Sequence, residues 1–306
     1  MLSIKYLLVV AGPTAVGKTD LALHLAVHFK TEIVSADSRQ FYREMTIGTA
    51  KPTEAELAKV KHHFINNLSI EEEYTAGRYE IETLSLLQEL FEKYDTVVLT
   101  GGSGLFIKAL CDGMDDIPAV DPQLREKLNE EYKEHGLDPL LQELKEKDLA
   151  YYELVDKANP MRIIRALELC RGTGKSFSSF RTSIKKERPF KIIKIGLNRD
   201  RKELYERIEQ RMDIMLENGL VAEAEKLYCF KNLNALQTVG YLEVFDYLDH
   251  KVKYEEMVDL LKQNSRRYAK RQLTWFSKDK EFVWFHPSQE KEIVEFIEKR
   301  LEEKNF

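Results

Sequence analysis

Cysteine is scarce in this chain, and the three present, Cys111, Cys170 and Cys229, lie far apart with no CxxC pair. That argues against a disulfide framework or a zinc site and suits a reducing compartment. Long apolar runs are also missing. No stretch reaches the roughly 20 residues that a spanning helix needs, so no membrane partner is expected. The apolar start, MLSIKYLLVVAGPT, runs into a turn without a cleavage pattern. It reads as a first strand rather than a leader, and a cytoplasmic location is expected. Positive charge is not in excess either: the net charge is −5, so any nucleic-acid partner must find a local basic patch. What is there is an ordinary globular composition, 43% hydrophobic and 32% charged over 306 residues, enough for one large or two modest domains.

Hydropathy orders the chain into strands and helices. Tyr6 to Ala11 is an apolar run that stops at Gly-Pro, the pattern of a strand buried on both faces. Thr19 to Phe29 has helical spacing, and strands are predicted at Thr31–Ala36, Thr96–Thr100, Ile192–Leu197 and Phe282–Phe285. Leu204–Tyr228 and Tyr254–Phe276 read as long helices. Strands alternating with helices imply an α/β fold with a parallel sheet. Residues 112–188 carry helical patterns, many charges and no strand candidate. They are expected to be a helical insertion between two parts of one core, 1–111 and 189–306.

Gly12-Pro13-Thr14-Ala15-Val16-Gly17-Lys18-Thr19 matches the P-loop pattern and lies between a predicted strand and a predicted helix. Such a loop turns backbone N–H groups onto phosphate oxygens at a helix N-terminus. Lys18 adds a point charge and the Thr19 hydroxyl can ligate Mg²⁺, so a pyrophosphate-type ligand with Mg²⁺ is expected. A similar string, Gly172-Thr173-Gly174-Lys175-Ser176, follows a helical pattern instead of a strand. It reads as a helix end with Gly172 just past the last turn. The strand Val97–Thr100 ends without the Mg²⁺-binding acid of an ordinary ATPase and opens onto Gly101-Gly102-Ser103-Gly104. That turn suits a backbone or hydroxyl contact with a ligand. Asp37 follows its strand directly. At the carboxyl edge of a sheet it either faces the P-loop ligand, binding metal indirectly or taking a proton, or N-caps the next short helix. Ser38, Arg39 and Gln40 are suited to reading a planar acceptor. His62 and His63 have no metal-ligand spacing and read as surface or RNA-facing residues.

The strings GPTAVGKT, ADSRQFY, IGTAKP, GGSGLF, RALE, VGYLE and RRYAKRQLTWF occur in order. Together they resemble the bacterial tRNA dimethylallyltransferases, the isopentenyl-tRNA (IPP) transferase family. The resemblance covers residues 7 to 277. It implies a P-loop NTPase-like core and transfer of a dimethylallyl group from dimethylallyl diphosphate to N6 of the adenosine 3′ of the anticodon, with release of pyrophosphate. Carried over by motif, Asp37 is the general base, and Thr14, Gly17, Lys18 and Thr19 belong to the diphosphate cradle. Arg211 is a further pyrophosphate-binding residue and Lys18 a catalytic one. The tRNA anticodon stem-loop would meet Asp37, Ser38, Arg39, Gln40 and Ser103. Arg125 and Met161, Arg162, Ile163, Ile164 and Arg165 would meet it from the insertion. Gln237, Gly240, Tyr241, Arg267, Lys270 and Arg271 would do so from the C-terminal third. Tyr268, Trp275 and Phe276 would supply stacking surfaces beside that basic run. A monomer is expected. The closest alternatives are prenyl transfer to free AMP, ADP or ATP, and a P-loop small-molecule kinase.

Overall fold

The six residues of β1 (Tyr6–Ala11) are all buried, as the absence of alternation requires of a strand covered on both faces. The computed structural model describes residues 4–182 and 184–303. The P-loop leads from β1 into α1 (Lys18–His28), followed by β2 (Ile33–Ser35), α2 (Glu54–Lys59) and β3 (His62–His63). Next come α3 (Ala76–Lys93), β4 (Thr96–Gly101) and α4 (Gly104–Asp112), and then four helices, α5 (Pro122–His135), α6 (Asp138–Lys147), α7 (Leu149–Leu154) and α8 (Pro160–Thr173). The chain returns through β5 (Lys191–Leu197), α9 (Arg201–Glu217), α10 (Leu220–Lys226), α11 (Tyr241–Leu248), α12 (Tyr254–Phe276), β6 (Val283–Phe285) and α13 (Glu290–Glu302).

Among the described residues, six strands form one sheet in the order β3-β2-β4-β1-β5-β6, and every pairing is parallel. Ala11 of β1 stands opposite Gly101 of β4 and Gly196 of β5, and Ser35 of β2 opposite Thr100. The carboxyl ends of four strands are therefore level. The P-loop, Asp37 and the Gly-rich turn all leave the sheet at one edge, where ligands of open α/β sheets bind.

Two predicted features change. β3 escaped prediction because it is two polar residues with no periodicity; His63 pairs with Glu32, and His62 Nδ1 lies 2.8 Å from its neighbour Val60 O. The predicted helix Leu204–Tyr228 breaks into α9 and α10 at Gly219, whose φ of +94° ends one helix and starts the next.

The chain divides into two compact units, Met1–Cys111 with Glu187–Phe306, and Asp112–Lys186. Glu187 and Arg188, expected in the insertion, lie in the first unit. There Arg188 donates to Leu110 O at 2.7 Å and pairs with the buried Glu80 at 2.7 Å. The second unit has its own core of Leu128, Leu140, Leu144, Ile163, Ile164, Leu167 and neighbours. Its buried Asp148 caps α7 through Tyr151 N and holds Ser178 N and Oγ, each at 2.7 Å. α8 ends at Gly174, with φ +70°, two residues later than the reading of Gly172 placed it. Gly172 is inside the helix, where a Cβ would lie 2.6 Å from Val120 Cγ1.

Candidate active site

The P-loop has the shape its sequence calls for. Gly12 (φ +155°) runs so close to β5 that a Cβ would lie 2.6 Å from Leu197 O, Ala15 is left-handed at φ +61°, and Gly17 enters α1 at φ +109°. Three cations hold the loop's carbonyls. Lys18 Nζ donates to Pro13 O (2.7 Å), Arg207 Nε to Ala15 O (2.9 Å) and Arg199 Nε to Val16 O (2.8 Å). These bonds fix the course of a loop that leads into the N-terminus of α1, the kind of place where an anion binds. Arg199 and Arg207 carried no sequence signal. The turn after β5 and the first turns of α9 bring them in.

The loop forms one wall of a cavity of about 460 Å³ inside the first unit. Lys18, Thr19, Asp37, Arg39, Arg211 and Tyr268 line it, along with backbone of the Gly101–Gly102 turn. Lys18 has its pKa pushed down to about 7, first by burial and then by the nearby Arg211 charge, while Asp37 opposes the shift. Arg211 is likewise lowered by burial, with Asp37 opposing, and its Nε is buried with no hydrogen-bond partner. The Tyr268 hydroxyl is pushed up to about 12, mainly by burial and then by Asp37. Asp37 Oδ1 accepts from Arg39 N at 3.0 Å. No helix follows Asp37 directly, so it caps none: its Oδ1 fixes a turn, and the next helix, α2, is capped by Thr53. The carboxylate lines the cavity beside Lys18 and Arg211. The site sets Lys18, Arg39, Arg207 and Arg211 against two carboxylates, Asp20 and Asp37, an excess of positive charge suited to a highly charged anion.

The turn Gly101–Gly104 has a second role beside the one its sequence suggests. Its glycines admit packed neighbours as well as lining the cavity. A Cβ on Gly101 would lie 2.2 Å from Ala36 O, on Gly102 2.4 Å from Gln272 Nε2, and on Gly104 2.2 Å from Trp275 Cδ1. The Ser103 hydroxyl accepts from Ser38 N at 2.8 Å and so fixes the turn that carries Asp37. Gln272, inside a quoted motif but not singled out from sequence, joins three segments. Its Oε1 accepts from Thr14 N (2.8 Å) and its Nε2 donates to Gly102 O (3.0 Å).

The segment IGTAKP forms a second wall. Glu223 of α10 accepts from Thr46 N (3.1 Å), Ile47 N (2.8 Å), Gly48 N (3.0 Å) and the Tyr241 hydroxyl (2.6 Å). The Tyr241 ring fills the space where Gly48 lacks a side chain, 2.5 Å from an ideal Cβ. Gln40 Nε2 donates to Thr49 O and Ala50 O, both at 3.2 Å, so its carboxamide is spent on this wall. Arg39 Nη2 reaches Gln237 O at 3.4 Å, Gln237 Nε2 donates to Lys231 O at 2.6 Å, and Gly240 N donates to Glu243 Oε2 at 2.7 Å.

Several expected tRNA contacts are corrected by burial. The side chains of Tyr241 and Ile163 are 0% exposed, that of Ile164 is 1%, and Phe276 is 2% exposed. All four pack in cores and cannot present a side chain to a partner. Met161 and Trp275 are exposed, at 56% and 41%. In the insertion, Arg165 (3.0 Å) and Arg125 (3.5 Å) converge on the buried Glu168, so two guanidinium groups share one carboxylate. On α12, Arg271 lies 5.7 Å from the centroid of the Tyr268 ring and Arg267 donates to Asn264 Oδ1 at 3.3 Å. Lys270 is exposed on the same helix.

Among the described residues, no three His, Cys, Asp or Glu side chains cluster to hold a metal. A magnesium ion keeps several waters and binds through one or two protein oxygens plus substrate phosphates. Thr19 and Asp37, both lining the cavity, fit that mode.

A family model described as IPP transferase matches residues 40–279. The tRNA dimethylallyltransferase of Cytophaga hutchinsonii is 55% identical over 98% of both chains, and tRNA dimethylallyltransferase 1 of Phocaeicola vulgatus is 52% identical over 95% of this chain and 97% of its own. Among solved structures, a full-length tRNA isopentenylpyrophosphate transferase from Bacillus halodurans superposes with a TM-score of 0.73 at 37% identity, covering 98% of each chain. A eukaryotic dimethylallyltransferase described as acting on tRNA gives 0.77 at 25% identity, covering 96% of this chain and 80% of its own.

Proposed function

The chain belongs to the IPP transferase family, and from that premise we propose how its cavity carries out the family's reaction. The protein is a prenyltransferase that moves a dimethylallyl group from dimethylallyl diphosphate onto tRNA. The observation that carries the proposal is that Lys18, Arg211 and Asp37 line one cavity and interact electrostatically across it.

The diphosphate lies on the P-loop amides, with Lys18 and the free Nε edge of Arg211 on its oxygens. The Thr19 hydroxyl would hold Mg²⁺ brought in with the diphosphate, and the ion would supply charge neutralisation to the leaving group. The acceptor is N6 of the adenosine 3′ of the anticodon. As the N6–carbon bond forms, the allylic carbon–oxygen bond breaks and its electron pair leaves with pyrophosphate. An adenine amine is a weak nucleophile, so Asp37 takes the N6 proton as attack proceeds. Lys18 and Arg211 stabilise the charge that develops on the departing oxygen.

The adenine must leave its stack to reach the cavity, at a cost of a few kcal/mol. Contacts of Arg267, Lys270 and Arg271 with phosphates and stacking on exposed aromatic surface offset that cost. From the insertion, Arg162 and the Arg125–Arg165 pair supply further phosphate contacts, since one carboxylate leaves that pair with a net positive charge.

A decisive experiment offers labelled dimethylallyl diphosphate together with tRNA, an anticodon stem-loop, or AMP, ADP and ATP. Label should appear in tRNA and stem-loop, at the adenosine following the anticodon, and only with divalent metal present. Label in free nucleotides at a comparable rate would move the chain to the mononucleotide prenyltransferases. Labelling in EDTA at the full rate would remove the metal role of Thr19.

A further inference from the structure

We propose that Gln272 is a positioning residue that locks the diphosphate cradle to α12, so that filling the cradle and docking RNA on α12 favour each other. The proposal rests on the assignment of α12 to RNA contact given above. Its first half, the locking of the cradle, stands on hydrogen bonds alone.

The Gln272 side chain is buried, 7% exposed, on the cavity wall. A planar carboxamide has an acceptor at one end and a donor at the other, and both ends are used. Oε1 takes the Thr14 N–H and Nε2 gives to Gly102 O. A Cβ on Gly102 would lie 2.4 Å from Nε2, so the glycine leaves the carboxamide room in this position. One group thus joins the P-loop, the turn after β4 and α12. The Thr14 amide is fixed before any ligand arrives, which sets the course of the loop between Gly12 and Ala15 and spares binding the cost of ordering it. Glutamate at this position would lose the donor and put a carboxylate against Gly102 O and the anion site. Leucine would keep the bulk and lose both bonds.

The other half follows from the helix. Lys270 and Arg271 immediately precede Gln272, and Tyr268, one turn back, lines the cavity beneath the Arg271 guanidinium. α12 is 23 residues long and hydrogen-bonded throughout, so a shift imposed on its basic residues reaches Gln272. A hydrogen bond of 2.8 Å weakens steeply when stretched or bent. RNA that seats α12 therefore seats Thr14, and diphosphate that orders the P-loop holds α12, with the same coupling factor in both directions.

The test is calorimetric, on the full chain. Affinity for Mg²⁺-pyrophosphate is measured for wild type, Gln272→Leu and Gln272→Glu, each with and without a saturating anticodon stem-loop. Wild type should bind pyrophosphate about fivefold or more tighter with RNA present, the lower end of usual coupling factors. Without RNA, Gln272→Leu should bind about five- to tenfold more weakly, the loss expected for one buried hydrogen bond. Adding RNA should then change its affinity by less than twofold. In turnover, KM for dimethylallyl diphosphate should rise more than kcat falls. Gln272→Glu should shift pyrophosphate binding the same way and serves if the leucine variant does not fold. Equal or tighter pyrophosphate binding by both variants would overturn the proposal, because the Thr14 amide would then need no help. A wild-type protein that binds RNA with no change in pyrophosphate affinity would overturn the coupling, as would a leucine variant that keeps the wild-type response. If wild type fails to bind the stem-loop at all, the RNA assignment of α12 fails separately, and the pyrophosphate affinities alone decide the role of Gln272 in the cradle.

Discussion

Arg171 of the insertion and the cations of the cavity are treated in opposite ways. In the insertion, Arg171 holds Glu131 at 2.7 Å and Glu143 at 2.5 Å, both as hydrogen-bonded ion pairs, and these two carboxylates raise its pKa. In the cavity, Lys18, Arg39 and Arg211 are all lowered, with burial the leading cause in each, and Asp37 is the carboxylate that opposes it in every case. A charge with a full complement of partners supports its own unit. A charge kept from water with too few partners is a cost to folding that an anionic ligand relieves. The same residue types therefore do structural work at Arg171 and binding work in the cavity.

The contrast can be broken most severely at Asp37. Asp37→Ala should reduce turnover by about 10²–10⁴, the range for loss of a general base. Affinity for tRNA should change far less, because the basic residues of α12 remain. Single-turnover labelling measured beside filter binding distinguishes the two, and near-normal turnover would take Asp37 out of the mechanism. Next in size is Arg211→Leu. Affinity for Mg²⁺-pyrophosphate should fall by about 10- to 150-fold, as for lost bonds to a charged group worth roughly 1.5–3 kcal/mol. The ligand-free protein should melt higher, since a buried cation with an unpaired Nε is gone. A lower Tm would mean that Arg211 is satisfied in the free protein. The mirror-image change, Arg171→Met, should lower Tm by a few degrees, roughly 2–4 °C per kcal/mol for a domain of moderate size. Pyrophosphate affinity should stay within about twofold. If pyrophosphate binding follows Arg171 as strongly as Arg211, the division between the two regions does not hold.

Legibility in the sequence followed how local each feature is. The P-loop could be read because strand, turn and helix are contiguous, and Asp37 because it directly follows a strand whose end must lie at the sheet's carboxyl edge. Arg211 came only with the family resemblance, since an arginine within RIEQRM looks like any solvated helix charge. The residues that shape the site from a distance gave no signal. Arg199 and Arg207 reach the P-loop across more than 180 positions, and Glu223 holds Thr46 to Gly48 from α10. The second role of the Gly-rich turn was hidden because a glycine required by a neighbouring side chain is indistinguishable in sequence from one required by a ligand. Ile163 and Ile164 misled for the complementary reason: a motif marks a segment, and on a helix the buried positions of that segment alternate with the exposed ones.

Lys18 tests the central contrast most directly. Its folded pKa near 7 lies below the ordinary lysine value of 10.5, so between those values the unfolded chain binds more protons. Lys18 therefore subtracts stability at and below neutral pH, and that loss fades as pH rises through the window. A bound diphosphate favours the charged amine and must move its midpoint upward, with proton uptake on binding above pH 7. The measurement is an NMR titration of ¹³C-labelled lysine side chains, with Lys18→Arg used to assign the signal, in free and Mg²⁺-pyrophosphate-bound protein. The account predicts a midpoint near 7 in the free protein and a shift of at least two units upward on binding, about 2.7 kcal/mol at 1.36 kcal/mol per unit. A free-protein midpoint near 10.5, unmoved by pyrophosphate, would contradict it.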